Sequence, residues 1–462
     1  MRQNRVDDIH PIIVSTRPPR VPAKNFGSPY ILLGGFVLLI IIGTILLSFP
    51  FTNHDNEITP VGISLFTATS AATVTGLIVV DTSSYWTVWG QLIIMLLILV
   101  GGLGIMTSAT FLLIIIGQRI TLANRLLMRE SLGVNRLEGL VPLTIRIILV
   151  VLLMELVGFV VLFGSMSQYF PPGEAAWQAL FHSISGFNNA GFIIFPHGDG
   201  LSQFQNDFMV LVPLMVLIVL GTLSYSVLVD IFRYRRFTRY TLDTKLVIFV
   251  TLGLTILGTL VLLISEYNND ATMGDMPVAA KVFHSLFHSV SGRTAGFTTI
   301  NFGDMEQHSN FFLTGLMFIG GASASTAGGI KVNTLAVLMV AVLASLRGDT
   351  HVTAFGRELP QPQIFRALAI LMLGITVVFT VSFLLTITES FPFINILFET
   401  VSAFGTVGLS TGITSELSSI GKIIIVFTML LGRVGPLTLA LTLAQREKIN
   451  PYRFAEERVK IG

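Results

Sequence analysis

The stretch that decides the architecture reads Phe66-Thr-Ala-Thr-Ser-Ala-Ala-Thr-Val-Thr-Gly-Leu77. It recurs as Phe181-His-Ser-Ile-Ser-Gly-Phe-Asn-Asn-Ala-Gly-Phe192, Phe287-His-Ser-Val-Ser-Gly-Arg-Thr-Ala-Gly-Phe297 and Phe398-Glu-Thr-Val-Ser-Ala-Phe-Gly-Thr-Val-Gly-Leu409. Each copy sits in a short apolar run, at roughly 60–73, 175–186, 278–291 and 393–404, and ends in a small-residue loop with a glycine. A helix that crosses a bilayer needs about 20 apolar residues, so runs of this length predict re-entrant helices. In the first, second and fourth copies the glycine lies ten residues after the phenylalanine; in the third it lies nine after, one position short.

Longer apolar segments flank every copy, at 30–50, 88–116, 141–167, 206–232, 244–265, 309–346, 364–388 and 419–445. The 462 residues are 52% hydrophobic and 12% charged, with 42 Gly and 35 Phe. A soluble domain carries about a quarter charged residues, so lipid is the expected solvent. Glycine at this frequency suits transmembrane helices and the irregular loops packed between them. A net charge of +2 offers no basic arm for nucleic acid, and the lack of cysteine excludes disulfides, thiolate metal sites and thiol nucleophiles. No His, Asp and Glu set has the look of a metal site and no nucleophile–base motif stands out, so an enzyme is not expected.

Five polar segments, 1–29, 117–146, 231–245, 347–366 and 446–462, hold 23 of the 28 Lys and Arg residues. Positive charge near span ends stays on the cytoplasmic side, which predicts both termini inside. Residues 1–29 lack the short apolar core of a cleaved signal peptide and read as a cytoplasmic tail. The expected fold is an all-α integral membrane protein of four pseudo-symmetric repeats, each a span, a re-entrant helix, a glycine loop and a span. Eight transmembrane helices and four pore helices then surround one ion pore. The repeats cover 30–116, 141–232, 244–346 and 364–445, and 446–462 forms a second cytoplasmic tail.

The glycine loops comprise Thr73, Val74, Thr75 and Gly76; Asn188, Asn189, Ala190 and Gly191; Arg293, Thr294, Ala295 and Gly296; and Gly405, Thr406, Val407 and Gly408. Non-helical backbone at membrane depth is tolerated where it is buried in protein or lines water. Four such loops around one axis would offer rings of carbonyl oxygens able to replace an ion's hydration shell. Glycine permits positive φ and puts no side chain in the path. The short helices would aim their partially negative C-terminal ends at the ion, which suits a cation. The competing reading is ordinary small-residue packing between helices.

The sixth apolar segment is too long for one helix and breaks at Gly320, Gly321, Ala322, Ser323, Ala324, Ser325, Thr326, Ala327, Gly328 and Gly329, before Lys331. Each interior glycine costs about 1 kcal/mol against alanine, which disfavours a continuous helix. A phosphate-binding loop fails for want of the Gly-Lys-Ser/Thr ending. A passive kink competes with a movable obstruction beneath the loops. Arg433 lies deep in the last span, where a charge must face protein or water. It reads either as a salt-bridge partner of Glu155 or Glu399 or as a positive charge beside the pore. Those two carboxylates suggest structural hydrogen bonds more than proton relay. Lys281 and Lys422 are expected to snorkel at the outer interface, and His182, His284 and His288 to pack there.

These loops and the broken sixth segment resemble the Trk/Ktr/HKT potassium transporter superfamily over about residues 30–445. The first unit begins at the first span, without two extra N-terminal helices, and so looks most like the KtrB-type membrane subunits of Ktr K+ uptake systems. The resemblance implies K+ held by backbone carbonyls of the four loops. It also implies a gating role for Gly320–Lys331, and a place for Arg433 beside pore and gate, as a barrier that sets rate. Glycine at Gly76, Gly191, Gly296 and Gly408 goes with K+ preference in the family, whereas some plant relatives with serine in the first loop favour Na+. A homodimer is implied, resting on a cytosolic ring of nucleotide-binding RCK subunits of the KtrA type. The nucleotide belongs to that partner; no covalent cofactor is implied, and Na+ stands as a candidate modulator. The implied location is the bacterial inner (plasma) membrane. A cation-coupled secondary transporter and a Na+-permeable relative of the same family are the alternatives.

Overall fold

The computed structural model describes residues 29–104, 107–108, 140–196, 200–234 and 236–435. The N-terminal tail before residue 29, most of the basic segment 117–146, the ends of the second and last apolar segments and the tail 446–462 lie outside the described residues.

The described helices run, in chain order, α1 (Pro29–Leu47), α2 (Val61–Ala72), α3 (Thr82–Tyr85), α4 (Val88–Leu103), α5 (Leu140–Met166), α6 (Pro172–Phe187), α7 (Phe208–Thr222), α8 (Tyr225–Arg233), α9 (Leu242–Glu266), α10 (Val278–Thr294), α11 (Gln307–Phe318), α12 (Val332–Arg347), α13 (Gln361–Thr388), α14 (Phe393–Gly405) and α15 (Ser419–Val434). A two-residue-per-strand hairpin pairs Thr353–Ala354 with Arg357–Glu358. The fold is thus almost wholly helical.

Among the described residues α5, α9 and α13 are long and apolar enough to cross a bilayer, at 27, 25 and 28 residues. Their outer faces identify the solvent. Along α13, Phe365, Leu368, Met372, Ile375, Phe379, Phe383 and Ile387 are all exposed at helical spacing. Along α9, Phe249, Leu252, Ile256, Leu260 and Ile264 form a matching stripe. On a water-soluble protein such stripes would be aggregation surfaces; against acyl chains they need no cover.

The short helices α2, α6, α10 and α14 have the opposite character, with nearly every residue of their C-terminal halves buried. Each starts at a proline in the N-cap position: Pro60, Pro171, Pro277 and Pro392. Proline fixes its own φ and disfavours helix in the residue before it, so the chain turns sharply into each short helix. α1 packs on α2, α5 on α6, α9 on α10 and α13 on α14. The next level of contact runs in a circle. α4 packs on α6, α7 on α10, α11 on α14, and α15 closes back onto α2.

The segment 206–232, expected as one span, is two helices. α7 stops at Thr222 and the chain turns by 104° into α8. Leu223 and Ser224 adopt extended backbone, and the Ser224 hydroxyl caps α8 by accepting from the Val227 amide at 3.4 Å. The neighbours stop at corresponding places: α4 before Gly104 (φ +82°), α11 at Phe318, and α15 before Gly435 (φ +90°). The break read in the sixth segment is therefore not peculiar to it. What is peculiar to it among the described residues is the long insertion between α11 and α12.

Candidate functional site

The four glycine loops meet where the short helices end. Gly76, Gly191, Gly296 and Gly408 all have positive φ, between 69° and 91°. A methyl group added to Gly76 would strike the carbonyl oxygen of Ala190; on Gly191 it would lie 2.7 Å from that of Ala295; on Gly296 it would strike Val407, and on Gly408, Thr75. Each glycine faces the carbonyl of the residue before the next loop's glycine, and the fourth returns to the first. Backbone conformation and neighbour contact thus both require glycine. Val74, Thr75, Ala190, Ala295 and Val407 are all buried, and among the described residues no donor bonds their carbonyl oxygens. Buried carbonyls are nearly always paired, so a ring of carbonyls without donors among the described residues is unusual and calls for a partner outside the protein's own hydrogen-bond network.

The third loop is built differently, as its missing position foretold. Val74, Asn189 and Thr406, each two residues before its glycine, hold left-handed backbone with φ of 57°, 58° and 49°. For β-branched Val74 and Thr406 this is a strained state costing on the order of 1–3 kcal/mol. The third loop has no such residue: α10 stays helical through Thr294 and reaches Gly296 directly. Arg293 is accordingly in the last helical turn and buried, at the place taken by Phe187 and Phe404 in the neighbouring units. Its Nε and Nη1 have no hydrogen-bond partner among the described residues.

Two sets of residues stand behind the loops; the first went unassigned in the sequence, and in the second the histidines were expected at the outer interface and Glu399 in structural hydrogen bonds. The first is the serine four positions after each phenylalanine. Its carbonyl accepts from the loop in every unit: Ser70 from the Thr75 amide at 2.8 Å, Ser185 from Ala190 at 2.8 Å, Ser291 from Gly296 at 3.3 Å and Ser402 from Val407 at 2.9 Å. Its hydroxyl acts in two ways. Ser70 and Ser402 accept from the amides of Gly76 and Gly408 at 3.0 and 3.1 Å, whereas Ser185 and Ser291 donate to the carbonyls of Phe192 and Phe297 at 2.9 and 2.6 Å. The second set directly follows the phenylalanine. His182 lies 3.4 Å from the Ile194 amide, His288 lies 3.3 Å from that of Thr299, and Glu399 accepts from Ser410 and from Thr414 at 2.9 Å. These side chains are fully buried and brace the chain just beyond the second, third and fourth glycines, so His182 and His288, and the equally buried His284, are not interfacial. Both sets recur at fixed offsets from the phenylalanine, which is the signal that could have found them.

Directly beneath, residues 319–331 leave the helical path between α11 and α12. Ile319 and Ile330 form a parallel bridge, and the Gly320 amide donates to the Ile330 carbonyl at 2.8 Å. The loop reaches under the second and fourth units. Ala322 and Thr326 donate backbone amides to the Thr222 and Gly221 carbonyls at 3.0 and 3.3 Å. Gly328 lies against Thr406, where an added methyl would meet the threonine hydroxyl, and Gly329 lies beside Gly405. Arg433 binds the Thr326 carbonyl with Nη1 and the Gly101 carbonyl with Nη2. Lys331 turns back onto the Ala327 carbonyl. The two carboxylates are occupied elsewhere: Glu155 accepts from Asn188 at 2.7 Å, and Glu399 holds its hydroxyls. The guanidinium thus fastens the loop instead of joining a salt bridge. Lys281 is buried rather than snorkelling, donating to the Tyr267 carbonyl at 2.6 Å and lying 4.1 Å from that ring's centre.

Comparison with known proteins identifies the family and the fold. The model of the TrkH family, described as cation transport protein, matches residues 35–452. Ktr system potassium uptake protein B of Bacillus subtilis is 41% identical over 440 residues, 95% of this chain and 97% of its own. Potassium/sodium uptake protein NtpJ of Enterococcus hirae is 35% identical over 447 residues, 95% of this chain and 98% of its own. The crystal structure of the potassium transporter TrkH from Vibrio parahaemolyticus shares the fold, with a TM-score of 0.73 at 19% identity over 92% of this chain and 86% of that one. The chain belongs to the TrkH family of cation transport proteins.

Proposed function

We propose that the chain carries K+ across a cell membrane through one pore, at the centre of four repeats that each comprise a span, a pore helix and a second span. On this reading there are eight spans and four re-entrant helices; Gly76, Gly191, Gly296, Gly408 and the three residues before each form the selectivity filter. The observation that carries it is the closed ring of buried residues whose carbonyls have no donor among the described residues, interleaved with the four glycines. Such oxygens can replace the hydration shell of a monovalent cation. The short helices end at the same place, so their partial negative charge adds to the attraction.

The stretch Gly320–Lys331, with Arg433, is the gate. In the described arrangement it lies across three of the four units just below the filter, tied by hydrogen bonds that a moderate free energy can exchange. A positive guanidinium beneath a cation filter sets a further electrostatic barrier. The name of the Bacillus subtilis relative, a potassium uptake protein of a Ktr system, supports K+ uptake as the direction of use. A bacterial plasma membrane, a homodimer and a cytosolic nucleotide-binding RCK ring belong to this reading as what the family resemblance implies. The name of the Enterococcus hirae relative favours a second reading, in which Na+ also passes.

Purified protein in liposomes decides between them. We expect K+ and Rb+ flux far above Na+ flux, with no added solute. Comparable Na+ and K+ flux would replace the first reading by the second, and strict dependence on a co-transported solute would overturn the pore.

A further inference from the structure

One side chain belongs to both levels of the pathway. Asn189 occupies the left-handed position of the second filter loop, and its amide points down. Nδ2 donates to the Thr326 hydroxyl of the intramembrane loop at 2.9 Å, and to the Phe187 carbonyl at 3.3 Å. Oδ1 accepts from Thr294 in the third filter loop at 3.1 Å and from Thr222 at the end of α7 at 3.3 Å. Thr326 passes its own proton to the Gly221 carbonyl at 2.9 Å. All four side chains are buried, Asn189 and Thr294 at 1% exposure. The corresponding backbone positions elsewhere make no such bond. Val74 has no polar atom, and the Thr406 hydroxyl is unpartnered among the described residues although it lies against Gly328. Asparagine is among the few residues that hold left-handed backbone readily, and its amide has both a donor end and an acceptor end.

We propose that Asn189 is the positioning residue that couples filter to gate. It latches Thr326 to the second and third filter loops, so that a change in the filter's shape loosens the loop's closed seat. This rests on reading 320–331 as the gate, and adds to that reading the means by which the gate senses the filter. A buried hydrogen bond that closes the network stabilises the closed seat; when the second or third filter loop shifts, Asn189 cannot keep both Thr294 and Thr326 in reach. Release then raises the population of the displaced loop, by about fivefold for one bond of ~1 kcal/mol.

The chain has no native cysteine, so a single thiol reports on the loop without background. Ser323, exposed beside the loop's turn, is replaced by Cys in the full-length protein in liposomes, and its rate of reaction with a charged thiol reagent is measured. Asn189→Gly keeps the backbone conformation and deletes the latch; Thr326→Val deletes the hydroxyl, and Thr326→Ser keeps it. We expect labelling to speed about fivefold in Asn189→Gly and in Thr326→Val, and the double variant to be no faster than the faster single one. Thr326→Ser should label at the parent rate. Exchanging K+ for Na+ should change labelling in the parent and not in Asn189→Gly. Multiplicative effects in the double variant, or equal labelling of the Val and Ser variants, would overturn the latch; the Thr326 pair suffices if Asn189→Gly does not fold. Labelling does not depend on selectivity. If the filter assignment were wrong, Gly76→Ser would leave K+/Na+ discrimination unchanged while the labelling cycle stayed non-multiplicative.

Discussion

The ring of glycine loops and the level just beneath it are built on opposite plans. In the ring, every unit supplies the same parts: a glycine at positive φ, a carbonyl facing the preceding unit's glycine, and a serine behind. Below, each part occurs once. The third unit supplies the loop, the fourth supplies Arg433, and the second supplies Asn189. On the proposed function, the physics of the two tasks explains the contrast. Replacing a hydration shell needs oxygens on all sides of a spherical ion, so loss of one unit's share damages the whole cage. Blocking a narrow path needs one obstacle, and that obstacle can be held from one side.

The sharpest way to break the ring is Gly76→Ser. The new Cβ would strike the Ala190 carbonyl, and φ at this position is 89°. Backbone strain of about 1–3 kcal/mol together with a displaced carbonyl should lower the K+/Na+ permeability ratio by on the order of a hundredfold. Relative permeabilities from liposome flux check this, and an unchanged ratio would remove the filter assignment. Basal flux should rise by no more than about fivefold, the effect of releasing the Asn189–Thr326 bond when the second loop shifts, because the other ties of the obstacle beneath are kept.

Shortening the loop tests the other level. Deleting residues within 321–329 removes the ties to Gly221, Thr222 and Arg433 together. Several bonds of ~1 kcal/mol each should raise basal K+ flux by on the order of tens of fold with the K+/Na+ ratio little changed. A dead but well-folded protein would contradict the gate. Arg433→Ala severs only part of the seat, and should raise flux about tenfold, in line with loss of a charge-assisted bond. Arg433→Lys should fall between, because one ammonium cannot span the Thr326 and Gly101 carbonyls in the manner of the guanidinium fork.

Much of the ring was legible from Phe66, Phe181, Phe287 and Phe398 and their glycines, because a repeated pattern reveals positions that a single copy would hide. The short helices fall within a few residues of the predicted runs. Even the missing position in the third unit translated directly into a missing left-handed residue. The serines were in plain view yet unread, since serine in a helix has no distinctive pattern until its partners are known. The bend after Thr222 was hidden within an apolar stretch, where hydropathy reports solvent and not direction. The Asn189–Thr326 contact joins residues 137 positions apart, and no local rule links them. Arg433 illustrates the same limit: charge at depth left open a carboxylate partner and a place beside the pore, and neither reading named the loop backbone that supplies the bond.

The smallest expected effect asks whether the ring is fourfold down to its hydroxyls. Its four serines divide into two kinds. Ser70 and Ser402 accept from the amides of filter glycines, and Ser185 and Ser291 donate to carbonyls beyond them. Replacing Ser70 or Ser402 by Ala leaves a buried N–H short of a partner, a loss of about 1–3 kcal/mol. Replacing Ser185 or Ser291 leaves a carbonyl short of one donor, which proteins tolerate more readily than an orphaned N–H. The first pair should therefore lower the midpoint of thermal denaturation, measured in detergent with K+ present, by more than the second. Equal shifts in all four variants would mean that the hydroxyls merely fill space and that the ring's fourfold likeness extends to them. Unequal shifts in the stated order would show opposite units matching each other less than the sequence repeat suggests: the first pairs with the fourth, and the second with the third, as neighbours around the ring.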